Sequence, residues 1–303
     1  MIFNLLYILI FYFPRFRRYT LHLFGVQSYK EKIEQTRFSE SYLPDKKKRK
    51  NITPFSPRFW AYYPKFAIMI LQERNDPMGA AIRDYLTTGR CGRLRVLSSQ
   101  FEEDELPVPL LFRTEAEMPP LERLALEKAR GRVLDTGAGA GCHALALQGQ
   151  GLGVTAIDIS PGAVHTMRRR GVEDARLCDF FADDFGGPFD TILMLMNGIG
   201  ICGRLERLPA FFARINRLLA PGGQVLADSS DLIFLFGDED IPAGHYYGEA
   251  DYRMQYGKIR GAHFDWLYID FLTLARHASA AGFKADLLYN GNHYDYLARL
   301  TRA

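Results

Sequence analysis

The 303-residue sequence has only four cysteines, Cys91, Cys142, Cys178 and Cys202, and no two of them form a C-x-x-C pair. Neither a zinc centre nor a disulfide framework is therefore expected, and the chain suits a reducing, cytoplasmic compartment. It also lacks a long hydrophobic run: its most apolar segment, Met1–Phe13, falls short of the roughly 20 residues that span a bilayer. No transmembrane helix is expected. A secretory leader fits no better, because the segment has no basic start and Pro14-Arg15-Phe16-Arg17-Arg18 stands where small residues would be needed. We read it as a short docking helix or an upstream extension, with a membrane-surface anchor as the alternative. Internal repeats are absent too.

Positive charge is scarce wherever the chain can bury a core. Residues 1–50 hold eleven Lys/Arg against four Asp/Glu, whereas residues 51–303 hold 27 against 31. The net +3 thus belongs to the N-terminal stretch, and the mildly acidic body argues against a nucleic-acid partner. The run Asp45-Lys46-Lys47-Lys48-Arg49-Lys50 reads as a solvated linker rather than a nuclear or RNA-binding tag.

What the sequence does have is glycine in one place. Arg132-Val133-Leu134-Asp135-Thr136-Gly137-Ala138-Gly139-Ala140-Gly141 reads as a short strand, an acid and a turn with glycine at every second position, followed by the helical Cys142–Leu147. Glycine allows positive φ and lets a ligand approach the main chain. The dinucleotide fingerprint G-x-G-x-x-G would need its third small residue at Cys142, and here the third glycine comes one place early. Asp135 would also repel a pyrophosphate. A positively charged, phosphate-free cofactor suits it better.

The pattern Asp135-x-Gly137-x-Gly139-x-Gly141 resembles motif I of the class I S-adenosylmethionine-dependent methyltransferases. The resemblance covers residues 131–228 firmly and 270–303 more loosely. It implies a Rossmann-like, doubly wound α/β fold with a mostly parallel seven-stranded sheet, one antiparallel edge strand and an N-terminal helical cap. The expected cofactor is S-adenosylmethionine, held by Asp135, Gly137, Ala138, Gly139 and Gly141 in the loop. Asp158, at the tip of the next strand, suits the two hydroxyls of an unphosphorylated ribose, and Ile159 beside it the adenine face. In Cys178-Asp179-Phe180 an acid is expected at the adenine amine; Asp179 is favoured, with Asp183 and Asp184 close enough to replace it. Met196 and Asn197 follow the fourth strand, where cofactor and acceptor meet; Asn197 reads equally as a turn residue before glycine.

The resemblance also implies a cap, which gives three expected segments: an extension and linker (1–52), a cap region (53–125) and a methyltransferase domain (126–303). Asp76-Pro77 is a helix start, Leu94–Leu97 and Val108–Phe112 alternate weakly like strands, and Met118–Arg130 reads as a helix. Strands then alternate with helices at the spacing of a parallel sheet. They are expected at Val154–Ile157, Ala175–Leu177, Phe189–Met196 and Gln224–Ala227. A hairpin of Tyr252–Tyr256 and Phe264–Ile269 is inserted before a helix at Thr273–Ala281 and a closing pair, Lys284–Tyr289 and Tyr294–Leu300.

Methyl transfer from a sulfonium gains most from holding acceptor and methyl in line, so no obligatory catalytic residue is expected. An oxygen acceptor would gain from a base, and His245, Tyr246, Tyr247, Glu249, His263, His293 and Asp295 are available for that role. The fourth strand ends Met196-Asn197-Gly198-Ile199, without the Asn/Asp-Pro-Pro-aromatic motif of enzymes that methylate base amines and without a Pro-Cys nucleophile. A small molecule is the leading acceptor, with a peptide or protein side chain behind it. A nicotinamide-dependent oxidoreductase and a non-catalytic cofactor-binding module are the competing readings.

Overall fold

The computed structural model describes residues 70–236 and 245–303. The apolar run 1–13, the basic run 45–50, the aromatic stretch 55–66 and the boundary expected at 52/53 lie outside the described residues. Helix α1 (Pro77–Thr88) starts at Asp76-Pro77 as expected, the Gly79 amide donating to Asp76 Oδ1 at 2.8 Å. Strands β1 (Leu94–Leu97) and β2 (Asp104–Glu105) follow, and α2 (Pro120–Lys128) leads to the glycine stretch. Val108–Phe112, expected as a strand, is a 3-10 helix instead. Pro107 and Pro109 lack the amide donors that a strand ladder requires, and the Leu110 amide closes a turn onto the Pro107 carbonyl at 3.0 Å.

The expected alternation then appears: β3 (Val133–Thr136), α3 (Cys142–Gly149), β4 (Val154–Asp158), α4 (Pro161–Arg170), β5 (Asp174–Leu177), β6 (Phe189–Met194), α5 (Leu208–Leu218) and β7 (Leu219–Ser230). An insertion supplies β8 (Glu249–Tyr256), β9 (Ile259–Arg260) and β10 (Phe264–Leu267), and the chain closes with α6 (Phe271–Ala280), β11 (Phe283–Asn290) and β12 (Asp295–Arg302). The main sheet has the order β11-β12-β7-β6-β3-β4-β5. Its pairs from β5 through β7 are parallel, while in the pair at the far edge β12 runs antiparallel to both β7 and β11. This is the doubly wound, Rossmann-like sheet. The chain moves outward from β3 to β5 and then returns to the other side of β3 as β6, so a crevice opens beyond the carboxyl ends of β3, β4 and β6.

Sequence explains the centre of the sheet. Every residue of β3 is buried, and Ile192, Leu193 and Met194 of β6 are wholly so. A near-continuous apolar run is what a parallel strand needs when helices cover both faces. Leu126 of α2, Leu147 of α3 and Val164 and Met167 of α4 join one core cluster with Val133 and Leu193, and each such side chain contributes about 1.5–3 kcal/mol by leaving water.

A second sheet has the order β10-β8-β1-β2, with β9 paired to β8. The inserted hairpin is therefore not free-standing: β1, which precedes the glycine stretch, pairs antiparallel with β8, which follows β7. Strand β8 buries Ala250, Tyr252 and Met254 and leaves the residues between them half-exposed, the period of two expected for a sheet with one packed face. The Trp266 indole of β10 is buried against the 3-10 turn Gly198–Cys202; a Cβ added at Gly200 would lie 2.0 Å from its ring. Gly200→Ala should therefore destabilise the protein by about 1–3 kcal/mol, the range for overpacking a filled site. Chemical denaturation checks this, and an unchanged midpoint would contradict the packing.

Candidate active site

The turn after β3 is shaped by its glycines. Gly137, Gly139 and Gly141 have φ of 68°, 58° and 83°, values a side chain would resist. The turn is fastened to the neighbouring strand: the Gly137 and Ala138 amides donate to the Ile157 carbonyl at 2.9 and 3.0 Å, and the Gly139 amide donates to Asp158 Oδ2 at 2.9 Å. Asp158 Oδ1 accepts from the Ser160 amide, also at 2.9 Å. One buried carboxylate thus ties the loop after β3 to the turn after β4. A carboxylate oxygen can accept from more than one donor.

Asp135 lies beneath this turn, buried, with the Ala144 amide at the start of α3 donating to it. Burial pushes its carboxyl up to about 6; His143 opposes the rise and Asp158 adds to it. His143 is part of a buried charged group. Its Nε2 donates to Glu122 Oε2 at 2.8 Å, and Arg113 pairs with the same oxygen. Burial opposes charge on the imidazole, but Cys142 and Glu122 beside it raise it well above its ordinary value. Asp135 Oδ2 and Thr136 Oγ1 are buried with no hydrogen-bond partner among the described residues. An acceptor and a hydroxyl placed beside a glycine-lined turn fit an ammonium group better than a phosphate.

On the other flank, Ile159 is half-buried and its carbonyl accepts from the Leu71 amide at 2.9 Å. Asp76 caps two helices there. Besides the α1 amide, its carboxylate accepts from Ser160 Oγ at 2.6 Å and the Gly162 amide at 3.2 Å. The helices touch through glycine, since a Cβ at Gly162 would lie 2.5 Å from the Gly79 backbone. Past β5, the Cys178 amide donates to the Asp158 carbonyl at 3.0 Å and Asp179 is buried, accepting from the Phe181 amide at 2.8 Å. Asp183 has a local task, accepting from the Asp179 amide at 2.6 Å, and Asp184 is exposed and accepts from the Gly186 amide at 3.1 Å. The Phe180 ring packs with Phe185 and Phe211.

Met196 and Asn197 follow β6 with φ of 63° and 57°, unusual for residues other than glycine. A residue that sequence reasoning passed over holds them there. Asp228, on β7, accepts from the amides of Met196, Asn197 and Gly198 at 3.2, 2.7 and 3.4 Å. Burial and the Glu122 charge push its carboxyl up to about 8, against the amides, which favour the charged form. The signal for Asp228 was its place: an acid at the carboxyl end of a strand in this sheet. Asn197 is fully buried, and neither atom of its side-chain amide has a partner among the described residues.

Of the residues offered as bases, the structure brings together Tyr246 and Tyr247. The Tyr246 hydroxyl donates to Asp270 Oδ2 and the Tyr247 hydroxyl to Asp231 Oδ1, both at 2.7 Å. Glu249 accepts from the Leu205 amide and pairs with Arg204. His245, His263 and His293 are exposed, and Asp295 is buried at the start of β12.

The family model described as a methyltransferase domain matches residues 112–288. A solved S-adenosylmethionine-dependent methyltransferase from Bacteroides fragilis, in complex with S-adenosyl-L-homocysteine, is 57% identical; the match covers 78% of this chain and 98% of that one, with a TM-score of 0.74. The CcbJ methyltransferase from Streptomyces caelestis is 15% identical over 76% of this chain and 99% of its own, with a TM-score of 0.51, a likeness of fold. No curated protein matches the sequence.

The raised Asp135 pKa has a signed consequence. A carboxyl near its ordinary 3.8 when unfolded and near 6 when folded contributes stability that is complete below about pH 4 and lost as pH rises through 6. Relative to Asp135→Asn, the parent should lose on the order of 3 kcal/mol between pH 4 and 7. Urea titrations of the two proteins across that window check this; parallel curves would contradict it.

Proposed function

This chain belongs to the class I S-adenosylmethionine-dependent methyltransferase family, and from that membership we propose that it transfers a methyl group to a small-molecule acceptor. The observation that carries the reading is the crevice at the switch point: the left-handed glycine turn, fastened by Asp158 and underlain by Asp135, beside the loop that Asp228 holds. The 57%-identical protein with S-adenosyl-L-homocysteine supports the cofactor. When bound, S-adenosylmethionine supplies a methyl group already activated by a sulfonium. The chain's own part is to bind and orient. Gly137, Ala138, Gly139 and Gly141 present main chain, Asp135 a negative charge toward an ammonium, Asp158 lone pairs to ribose hydroxyls, Ile159 an apolar face and Asp179 an acceptor for the adenine amine. The backbone of Cys178 and Phe180 shapes that end, and Met196 and Asn197 line the end where the acceptor meets the methyl.

The acceptor's class follows from what this end lacks. Gly198 follows Asn197 where enzymes acting on base amines carry Pro-Pro-aromatic, and the body is mildly acidic. Neither feature suits a polynucleotide. No described helix is long and apolar enough to cross a membrane, and all four cysteines are free, which accords with a cytoplasmic setting. We divide the chain for this purpose into an extension (1–52), a cap (53–125) and a catalytic domain (126–303). The described part of the cap shares its sheet with the insertion at β8–β10.

Calorimetry with S-adenosylmethionine and its demethylated product should show binding that Asp158→Ala and Gly139→Val each weaken at least about tenfold, the loss of a charge-assisted hydrogen bond or of close backbone approach. A thermal shift with NAD(P) and none with S-adenosylmethionine would overturn the reading. Affinity for S-adenosylhomocysteine should rise with pH up to about 6 and then level off, because its ammonium favours the ionised Asp135. Asp135→Asn should flatten that profile.

A further inference from the structure

We propose that Arg214, on α5, is a positioning residue for base specificity: it fastens the loop after β5, so aims Asp179, and through Asp179 sets a preference for an amino purine over an oxo purine. The proposal rests on the methyltransferase reading. Residues 178–188, between β5 and β6, form no helix or strand, so no regular ladder fixes Asp179. The loop is tied where it leaves β5, by the Cys178 amide donating to the Asp158 carbonyl at 3.0 Å, and further on by Arg176 donating to the Phe185 carbonyl at 2.9 Å. Between those ties it closes on itself: the Asp183 amide donates to the Asp179 carbonyl at 3.1 Å and the Asp179 amide to Asp183 Oδ2 at 2.6 Å. Such bonds shape a turn but do not decide where it points.

Arg214 supplies the fixed point from outside. Its Nε donates to the Phe180 carbonyl at 2.7 Å and its Nη2 to the Asp183 carbonyl, one on either side of the turn that follows Asp179. The guanidinium carbon lies 4.9 Å from the centre of the Phe185 ring and 5.9 Å from that of Phe180. On the same face of α5, three residues earlier, Phe211 packs on the Phe180 ring with centroids 6.2 Å apart. One helix thus grips Phe180 by both its ring and its carbonyl. Arg214 is itself buried. Burial and Arg217 work against its charge, while Asp184, Asp179 and Asp183 favour it. A planar fork bonded to two carbonyls and covered by an aromatic ring has no equivalent in lysine.

The consequence falls on the base. Adenine presents an N–H to the Asp179 carboxylate, whereas hypoxanthine presents a carbonyl oxygen, which the carboxylate repels. A site built to accept from an N–H rejects the analogue that lacks it, provided the acceptor is held in place by its supporting contacts. The Arg214 donors are bonded to loop carbonyls, so its influence on the base passes through Asp179.

The test is calorimetric titration of the full chain with S-adenosylhomocysteine and with S-inosylhomocysteine, in which an oxo group replaces the amine. The parent should bind the amino form at least about tenfold tighter, the effect of one hydrogen bond to a charged group. Arg214→Lys should lower that ratio severalfold, and in an Asp179→Asn background it should leave the ratio unchanged. A merely structural role would weaken both ligands by the same factor. If Arg214→Lys does not fold, Phe185→Leu, which removes the ring face covering the guanidinium, is titrated in its place and should lower the ratio too. Equal binding of the two ligands by the parent, a ratio that survives the substitution, or an effect that persists without the Asp179 carboxylate would overturn the proposal. A parent that binds neither ligand would instead sink the methyltransferase reading.

Discussion

The bond between the Gly139 amide and the Asp158 carboxylate is the constraint from which the crevice follows. It joins the end of β3 to the end of β4 through a side chain that also accepts from Ser160, so the turn lined with glycine cannot swing without disturbing the start of α4. A loop with three left-handed residues has no side chains of its own to stiffen it. Its rigidity is borrowed from an acid on the next strand.

The same device recurs along the sheet. Asp228 gathers three successive amides after β6, and Asp76 gathers donors from two helices. Backbone amides at strand ends and helix starts have no partner within their own element, and here buried carboxylates supply it. Acidic groups thereby gather near the strand ends, and burial raises the carboxyls of Asp135 and Asp228 among them, because a dry crevice disfavours their charged forms.

Much of this was legible in sequence because it is periodic or local. The glycine spacing marked the loop, the strand–helix alternation placed Asp158 and Asp179 at strand ends, and Asp76-Pro77 marked α1. Weak alternation misled the reading of Val108–Phe112 despite Pro107 and Pro109, since apolar alternation in so short a run does not separate a strand from a 3-10 helix. The pairing of β1 with β8 was not legible at all: it joins segments about 160 residues apart in the chain, and nothing local encodes which edge a short strand will find. Asp228, Asp231 and Asp270 were hidden for a related reason. Each is an ordinary acid until the fold sets it against amides and phenols drawn from elsewhere.

Asp76 carries an implication for how such a chain can change over generations. One carboxylate serves Gly79, Ser160 and Gly162, and the two glycines leave no room between the helices. A substitution at any of these positions would have to be matched at the others. The segment before the glycine turn and the segment after Asp158 are therefore heritable only as a pair, which limits how freely a lineage can exchange the part that carries α1 while keeping the part that carries α4.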